Sequence, residues 1–479
     1  MKMRRKTVGI CFSAFLSGIL ASGLAFASGD EPVRDWQVTV DGRPVKVWRA
    51  AHQFWEKEYY FASFDLNGAA TVKVRSSESL KRLAILPESA GISPDTKTDR
   101  EFTLTLRRPI KLSIEREGRI KPLLLFANAP ERGSPSKDDP NVIWFGPGEH
   151  EAGVVRVCSN QTLYLEEGAV VKGAIRAEGN NILICGRGIV DGGIYPHERG
   201  PNKEVHGSGI YCVNCTNLVV RDITYRNPWS WELTFWFCKQ VSVDNVKICG
   251  GRFLCDDAID IVNCSDVTIR NSFLRSQDDN VAIKGRGAER NGVSVENILV
   301  ENCIFWYDSA NGARIGFESN ASHMSGIVMR NIDVLHTSAR YRRPEEIWSH
   351  ALVWLQPSND MEIRDSRFED FRINSDGLET SVILVHCEPR RCWAGCGKYI
   401  NGDHMYESAG RVKNCAFRNF TLTGCRCENP PQVCVKGFDS EHRVENVSFE
   451  NFTAFGERIS AGSPVFAIDD RHVSEVTVR

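Results

Sequence analysis

From residue 218 onward one short pattern recurs: LVVRD (218–222), VSVDN (241–245), VTIRN (267–271), ILVEN (298–302), IVMRN (327–331), MEIRD (361–365), CAFRN (415–419) and VSFEN (447–451). Each unit is an alternating apolar strand that ends in Asn or Asp. The end residues lie 23, 26, 31, 29, 34, 54 and 32 positions apart. A fixed short motif at a variable period above about 20 residues is the mark of a solenoid whose loops differ in length. No helical pattern separates the units, and a sandwich would repeat its strands every ~8–12 residues. The expected class is therefore all-β: a right-handed parallel β-helix.

A parallel solenoid supplies a ruler, because equivalent positions on successive coils stack at roughly 4.8 Å. A second strand per coil aligns as WELTF (231–235), DAIDI (257–261), DNVAI (279–283) and NGARI (311–315). Its first position forms a column of Trp231, Asp257, Asp279 and Asn311. Cys215, Cys238 and Cys264 occupy one place on three coils and read as a buried ladder of small apolar side chains.

The chain before the repeats differs. WQVTV, TVKVRS, EFTLTLRR, IKLSIERE and PLLLFA alternate with period two and are bounded by turn residues such as Asp41-Gly42 and Asn67-Gly68, which points to a small β-sandwich. NAPERGSPSKDDPN (128–141) then breaks the pattern with Pro, Gly, Ser and charge. At the start, MKMRRK precedes an apolar run and Ala25-Phe26-Ala27, the arrangement of a cleaved export signal. The expected layout is a signal peptide over 1–27, a sandwich over 28–130, a linker over 131–140 and a β-helix over 141–479.

Export leaves 16 of the 17 cysteines in an oxidising setting. The loop-rich group Cys387, Cys392, Cys396, Cys425, Cys427 and Cys434 reads as a disulfide framework, and its spacing is not that of zinc ligands. The 59 Lys and Arg nearly balance the 61 Asp and Glu. That balance gives no reason to expect a nucleic-acid or membrane-surface partner. Oligomeric state is left open, and no cofactor is implied.

Two neighbouring coils each begin with a carboxylate pair, Asp256-Asp257 and Asp278-Asp279. Acids packed this closely cannot all ionise freely, so at least one pKa rises. An acid that keeps its proton beside a base that has lost its own is what glycosidic bond cleavage needs. One-coil separation, widened by side-chain reach, leaves room for a water and favours inversion. Clustered aspartates also make oxygen cages for calcium, and Asn or Asp at strand ends are ordinary turn formers. The turn reading suffices for Asp222, Asn271 and Asn302.

The block CDDAIDIVNCSDVTIRNSFLRSQDDNVAIKG resembles the catalytic block of the polygalacturonase-like, pectin-degrading glycoside hydrolases, and the leading module resembles that of the dextranase and isopullulanase family. The resemblance places Asp257 on the aspartate of the family's Asn-Thr-Asp-Gly-Ile-Asp motif, and Asp278 and Asp279 on its Asp-Asp pair. It implies that Asp278 is the general acid and that Asp257 and Asp279 hold the attacking water. Cys255-Asp256-Asp257-Ala258 departs from the first motif. Asn311 stands where the family has a histidine, and the substrate-carboxylate-binding Arg-Ile-Lys is missing, so galacturonic acid is not fixed as the sugar. Asp256, Trp231, Lys284, Asn311 and Arg314 are the expected substrate-binding residues. A polysaccharide or oligosaccharide is the expected partner. A polysaccharide lyase and a non-catalytic carbohydrate-binding solenoid remain as alternatives.

Overall fold

The structure is a computed structural model that describes residues 33–53, 57–196, 208–286, 294–337, 350–374, 381–391, 398–400, 404–423, 433–469 and 471–479. The expected signal peptide lies outside them. All described residues fall in one compact unit that begins at Val33.

Residues 36–128 form two five-stranded sheets. In the first, Trp36–Val40, Ala70–Ser76 and Glu101–Leu106 run antiparallel. In the second, Leu123–Asn128 pairs in parallel with Glu58–Asp65 and antiparallel with Ile110–Glu115. Ala70–Ser76 alternates buried and exposed residues without a break. The inward row (Val72 and Val74) shares one apolar core with Tyr60, Leu112, Leu123 and Leu125 of the other sheet. Strict period-two patterning buries one face of each sheet and leaves the other free. The free face of the second sheet is also used: Trp48, Tyr59, Phe61 and Phe126 pack on Val170, Cys249, Phe273 and Trp306 of the following region.

That region is a parallel β-helix. No strand lies between Asn128 and Val142, where the linker was expected. Beyond it, successive coils pair in parallel at three strand positions. The first runs through Trp231–Trp236, Ile259–Val262, Val281–Lys284 and Ala313–Ile315. The second runs through Lys239–Asp244, Ser265–Arg270 and Ser294–Tyr307. The third, Thr224–Arg226, Lys247–Cys249 and Phe273–Ser276, feeds the end of the long strand Ser294–Tyr307. Phenylalanines stack from coil to coil: Phe371 on Phe420 at 4.7 Å and Phe420 on Phe452 at 4.9 Å, the rings within 6° of parallel. These are the inter-strand spacings of a sheet, so ring stacking costs the backbone no distortion.

The strand-end residues make a second ladder. Asn245, Asn271, Asn302, Asn331, Asn419 and Asn451 all have φ between 51° and 57°, a left-handed conformation that Asn tolerates better than other L-residues. Their amides bond coil to coil, as from Asn331 Nδ2 to Asn302 Oδ1 at 2.6 Å and from Asn451 Nδ2 to Asn419 Oδ1 at 2.8 Å. One unit is displaced from the sequence alignment. Asp370, not Asp365, continues this ladder, since Arg367 pairs with Val328 and with Ala416, and Asn419 donates to Asp370 at 2.8 Å. Asp365 belongs to a neighbouring ladder, accepting from Asn414 at 2.9 Å. MEIRD and RFED both read as apolar-polar alternation ending in an acid, and the five-residue slip keeps an acid at the end.

Cys215, Cys238 and Cys264 are buried in register, as the ruler predicts. Of the six cysteines expected to form a disulfide framework, Cys387 and Cys434 are described, and both are buried free thiols. The other four lie outside the described residues.

Candidate active site

Backbone bonds carry the register of the first strand position past the strand starts. Glu232 N donates to Asp257 O, Ala258 N to Asp279 O, and Asn280 N to Asn311 O. Trp231, Asp257, Asp279 and Asn311 therefore stack as a column, as expected. Asp278 sits in the turn just before it. One carboxylate oxygen from each of Asp257, Asp278 and Asp279 lies within 4.8 Å of the other two. Asp257 and Asp279 are 4 % and 3 % exposed, whereas Asp278 is half-buried and is the member of the trio that reaches furthest out.

Three carboxyl groups this close are held in place by a shell of donors. Asp279 Oδ1 accepts from Asn311 Nδ2 at 2.7 Å and from Asn311 N at 3.1 Å, while Asn311 Oδ1 takes Ala351 N at 2.9 Å. Asn311 is thus a clamp on Asp279. Lys284 Nζ lies 3.2 Å from Asp257 Oδ2 and 2.9 Å from Asp260 Oδ1, and 3.8 Å above the Trp231 ring. Glu318 adds a carboxylate 3.7 Å from the same amine. Asp256 points the other way. Its oxygens accept backbone N–H groups from Gly251 at 2.7 Å, from Gln277, and from Asp278 at 3.2 Å, tying the loop before Asp257 to the turn that carries Asp278.

The substrate-binding expectations divide accordingly. Asp256 and Asn311 are fully buried and Lys284 nearly so, and their polar atoms bond to the aspartates and the backbone around them. The reason is local: buried charges need partners, and each has found one within the protein. Trp231 and Arg314 are half-buried. One face of Trp231 is covered by Lys284. Arg314 stacks on Phe317 at 3.5 Å and on Trp354 at 4.8 Å and donates to Gln356 Oε1 at 3.1 Å.

Sequence reasoning missed two more acids. Asp260 follows Asp257 of the column by three residues and pairs with Lys284 at 2.9 Å. Glu232 is fully buried, and among the described residues neither carboxylate oxygen has a hydrogen-bond partner. Burial, then Asp256 and Asp257, push its pKa well above the usual range. Nothing in WELTF signals this.

The electrostatics separate the trio. Burial, then the charges of Asp257 and Asp279, push Asp278 well above an ordinary carboxylate. Burial and Asp257 push Asp279 up to about 6, against the pull of Arg314, Asn311 and Lys284. The outermost carboxyl thus keeps its proton while the inner pair faces a lysine. Lys284 itself is held charged by Asp260, Asp257 and Glu318. Removing it takes away a positive charge that favours ionisation of Asp260 and Asp279. Lys284→Met is therefore expected to move the acidic limb of the pH–rate profile upward from about pH 6, which a kcat/KM profile against pH measures.

A cluster of three carboxyl groups on a parallel β-helix, the outermost with a raised pKa, defines a class of site suited to acid–base chemistry. Residues 169–288, which hold all three aspartates, match the model of "Glycosyl hydrolases family 28". An exopolygalacturonase of Oenothera organensis is 21 % identical over 243 residues, 50 % of this chain, and the match spans 60 % of the relative's length. Among solved structures, Dex49A from Penicillium minioluteum aligns over 94 % of this chain and 95 % of its own with a TM-score of 0.66 at 12 % identity, a likeness of fold across sandwich and solenoid together. A family 28 exopolygalacturonase of Yersinia enterocolitica aligns over 91 % and 98 % with a TM-score of 0.43 at 12 % identity.

Proposed function

We propose that the protein is a glycoside hydrolase that cleaves O-glycosyl bonds of a polysaccharide or oligosaccharide of pectin or dextran type, exported through its N-terminal segment and folded as a right-handed solenoid. The observation that carries the reading is the trio itself: three carboxyls within 4.8 Å, the half-exposed one raised well above the usual range and two buried against Lys284 and Asn311. Asp278 protonates the departing oxygen. Asp257 and Asp279 share a water and take its proton as it attacks the anomeric carbon.

Retaining enzymes place two carboxyls about 5–5.5 Å apart and inverting ones about 6.5–9.5 Å apart. That rule presumes one acid and one base on opposite sides of the sugar. Here two carboxylates lie close enough to hold one water between them, and the acid stands beside them, which supports inversion. The prediction is that the first-formed product carries the anomeric configuration opposite to that of the substrate, read by proton NMR in the first minutes of reaction. Retained configuration would make one of the inner aspartates a nucleophile.

Lyase chemistry would instead need a neutral lysine or arginine as base. Lys284 is held in its charged form by three carboxylates, which disfavours it for that task. The deciding experiment is product analysis on polygalacturonate, rhamnogalacturonan, dextran and pullulan, following reducing ends and ultraviolet absorbance together. New reducing ends without absorbance support hydrolysis and name the glycan. Absorbance would move the protein to the lyases, and binding without products would make it a carbohydrate-binding solenoid.

A further inference from the structure

Far from the aspartate column, the sandwich and the solenoid enclose a cleft of about 1060 Å³. Its walls are the sandwich turns around Pro87 and Pro109, the connection after Ala129, and the asparagine ladder from Asn245 to Asn331. None of its residues belongs to the site described above.

The charges in it do not balance. Its aspartates are already engaged: Asp222 by Arg187 and Arg221, each at 2.7 Å, Asp244 by Arg270 at 3.2 Å, and Asp333 by Arg372 at 2.6 Å and by Ser89 of the sandwich at 2.7 Å. Three further cations line the cleft, namely Arg108, Lys111 and Arg132. Among the described residues none of the three side chains has an ion pair or a hydrogen-bond acceptor. Lys111 is the informative one. It is half-buried, and burial pulls its amine down to about 8. A solvated arginine is ordinary, whereas a half-buried lysine with no ion pair holds a positive charge inside the cleft, where an anionic group entering it is attracted. The three come from two separate segments, so a single small ion cannot serve them all as well as a chain bearing several charges. The volume is that of a site for an oligomeric ligand, and the amide edges of the asparagine ladder suit hydroxyl groups.

We propose that this cleft is a second, non-catalytic binding site for an anionic oligosaccharide, a chain bearing carboxylate or sulfate groups. It does not depend on the hydrolase reading, because it shares no residue with the aspartate trio. Calorimetric titration of the Asp278→Asn chain with oligogalacturonate, with a heparin-derived sulfated oligosaccharide, with a neutral isomaltooligosaccharide of equal length and with sodium sulfate tests it. The same titrations are run on that chain with Arg108→Ala, Lys111→Met and Arg132→Ala added.

The expected result is a site for one of the two acidic oligosaccharides that weakens at least tenfold in the triple variant and weakens with added salt. Any binding in the catalytic groove persists unchanged in both chains. Which acid binds distinguishes carboxylate from sulfate as the recognised group. Arg108 and Arg132 are exposed, and Lys111→Met removes a desolvated charge, so the triple variant should melt no lower than its parent. Equal binding by both chains, binding of the neutral chain as tight as the acidic ones, or sulfate ion binding as tightly as the oligosaccharides would overturn the proposal. If no glycan is hydrolysed, the titration still reads the cleft.

Discussion

Asp278→Asn is expected to fold as the unmodified chain does and to lose roughly 10²–10⁴-fold in turnover, the usual contribution of a positioned acid. The substitution is isosteric. Among the described residues the Asp278 carboxylate has no hydrogen-bond donor; its backbone N–H, which reaches Asp256 at 3.2 Å, is untouched. The structural cost is therefore small, and the sign of the stability change follows from the proton. Asp278 has a folded pKa raised well above its unfolded one. Such a group binds its proton more tightly in the folded state, so stability falls as pH rises from the unfolded value near 4 through the folded pKa. Asparagine has no charge to bury. At neutral pH the variant should melt at or above the temperature of the parent, and the difference should vanish below about pH 4. Lost activity with a lowered melting temperature would instead mean a structural role. A second measurement isolates the acid: an aryl glycoside whose leaving group departs without a proton should restore much of the rate in Asp278→Asn and little in Asp279→Asn. Equal rescue of both, or none, would remove Asp278 from the acid's role.

The path from sequence to this site shows what a one-dimensional pattern carries. The column Trp231, Asp257, Asp279, Asn311 was legible because a parallel solenoid converts sequence spacing into stacking with a fixed rise, and the strands between 231 and 315 have similar lengths. The ruler slips where its marks are ambiguous. Residues 361–370 offer two aspartates, Asp365 and Asp370, each after an apolar-polar alternation, and register is settled by pairing with Arg367 and Phe368 that no local pattern announces. The disulfide expectation rested on compartment and loop composition, neither of which reports geometry; Cys387 and Cys434 are buried thiols. The roles of Asp256, Asn311 and Lys284 were missed for a different reason. Residue type says that they are polar and lie near the trio, but whether a polar atom faces solvent or a neighbouring acid depends on side-chain direction. Asp308 is more hidden still, since His52 reaches it from the sandwich and Arg275 from the preceding coil.

Asp308 supports the other large prediction. Its carboxylate is completely buried at the junction of sandwich and solenoid, accepting from His52 Nε2 at 3.0 Å, Arg275 Nε at 3.3 Å and Trp306 Nε1 at 3.0 Å. The Arg275 guanidinium lies between two rings, 4.0 Å from that of Tyr59 and 3.9 Å from that of Trp306, while Tyr59 Oη donates to Gly250 O at 2.7 Å. Asp308→Asn keeps the shape but leaves the arginine's charge buried without a counter-ion. Breaking one side of a buried pair costs about 3–5 kcal/mol, and a urea unfolding series should show a loss of that order at pH 7. The pair of rings and the remaining hydrogen bonds do not neutralise the charge. Against the effect of burial, the charges of Arg275, His52 and Arg119 and the His52 hydrogen bond hold the Asp308 carboxyl far below the usual range. A depressed folded pKa contributes stability above the unfolded value near 4 and loses it as pH falls below that value. The gap between variant and parent should therefore be full at pH 7 and narrow once the parent is taken below pH 4. Activity should fall as well, because Asn311, the clamp on Asp279, follows Asp308 by three residues, and Gly250 leads into the loop that Asp256 ties to Asp278. A chain as stable as the parent at pH 7, with an unchanged kcat, would show that the sandwich is merely attached to the catalytic coil and does not hold it in register.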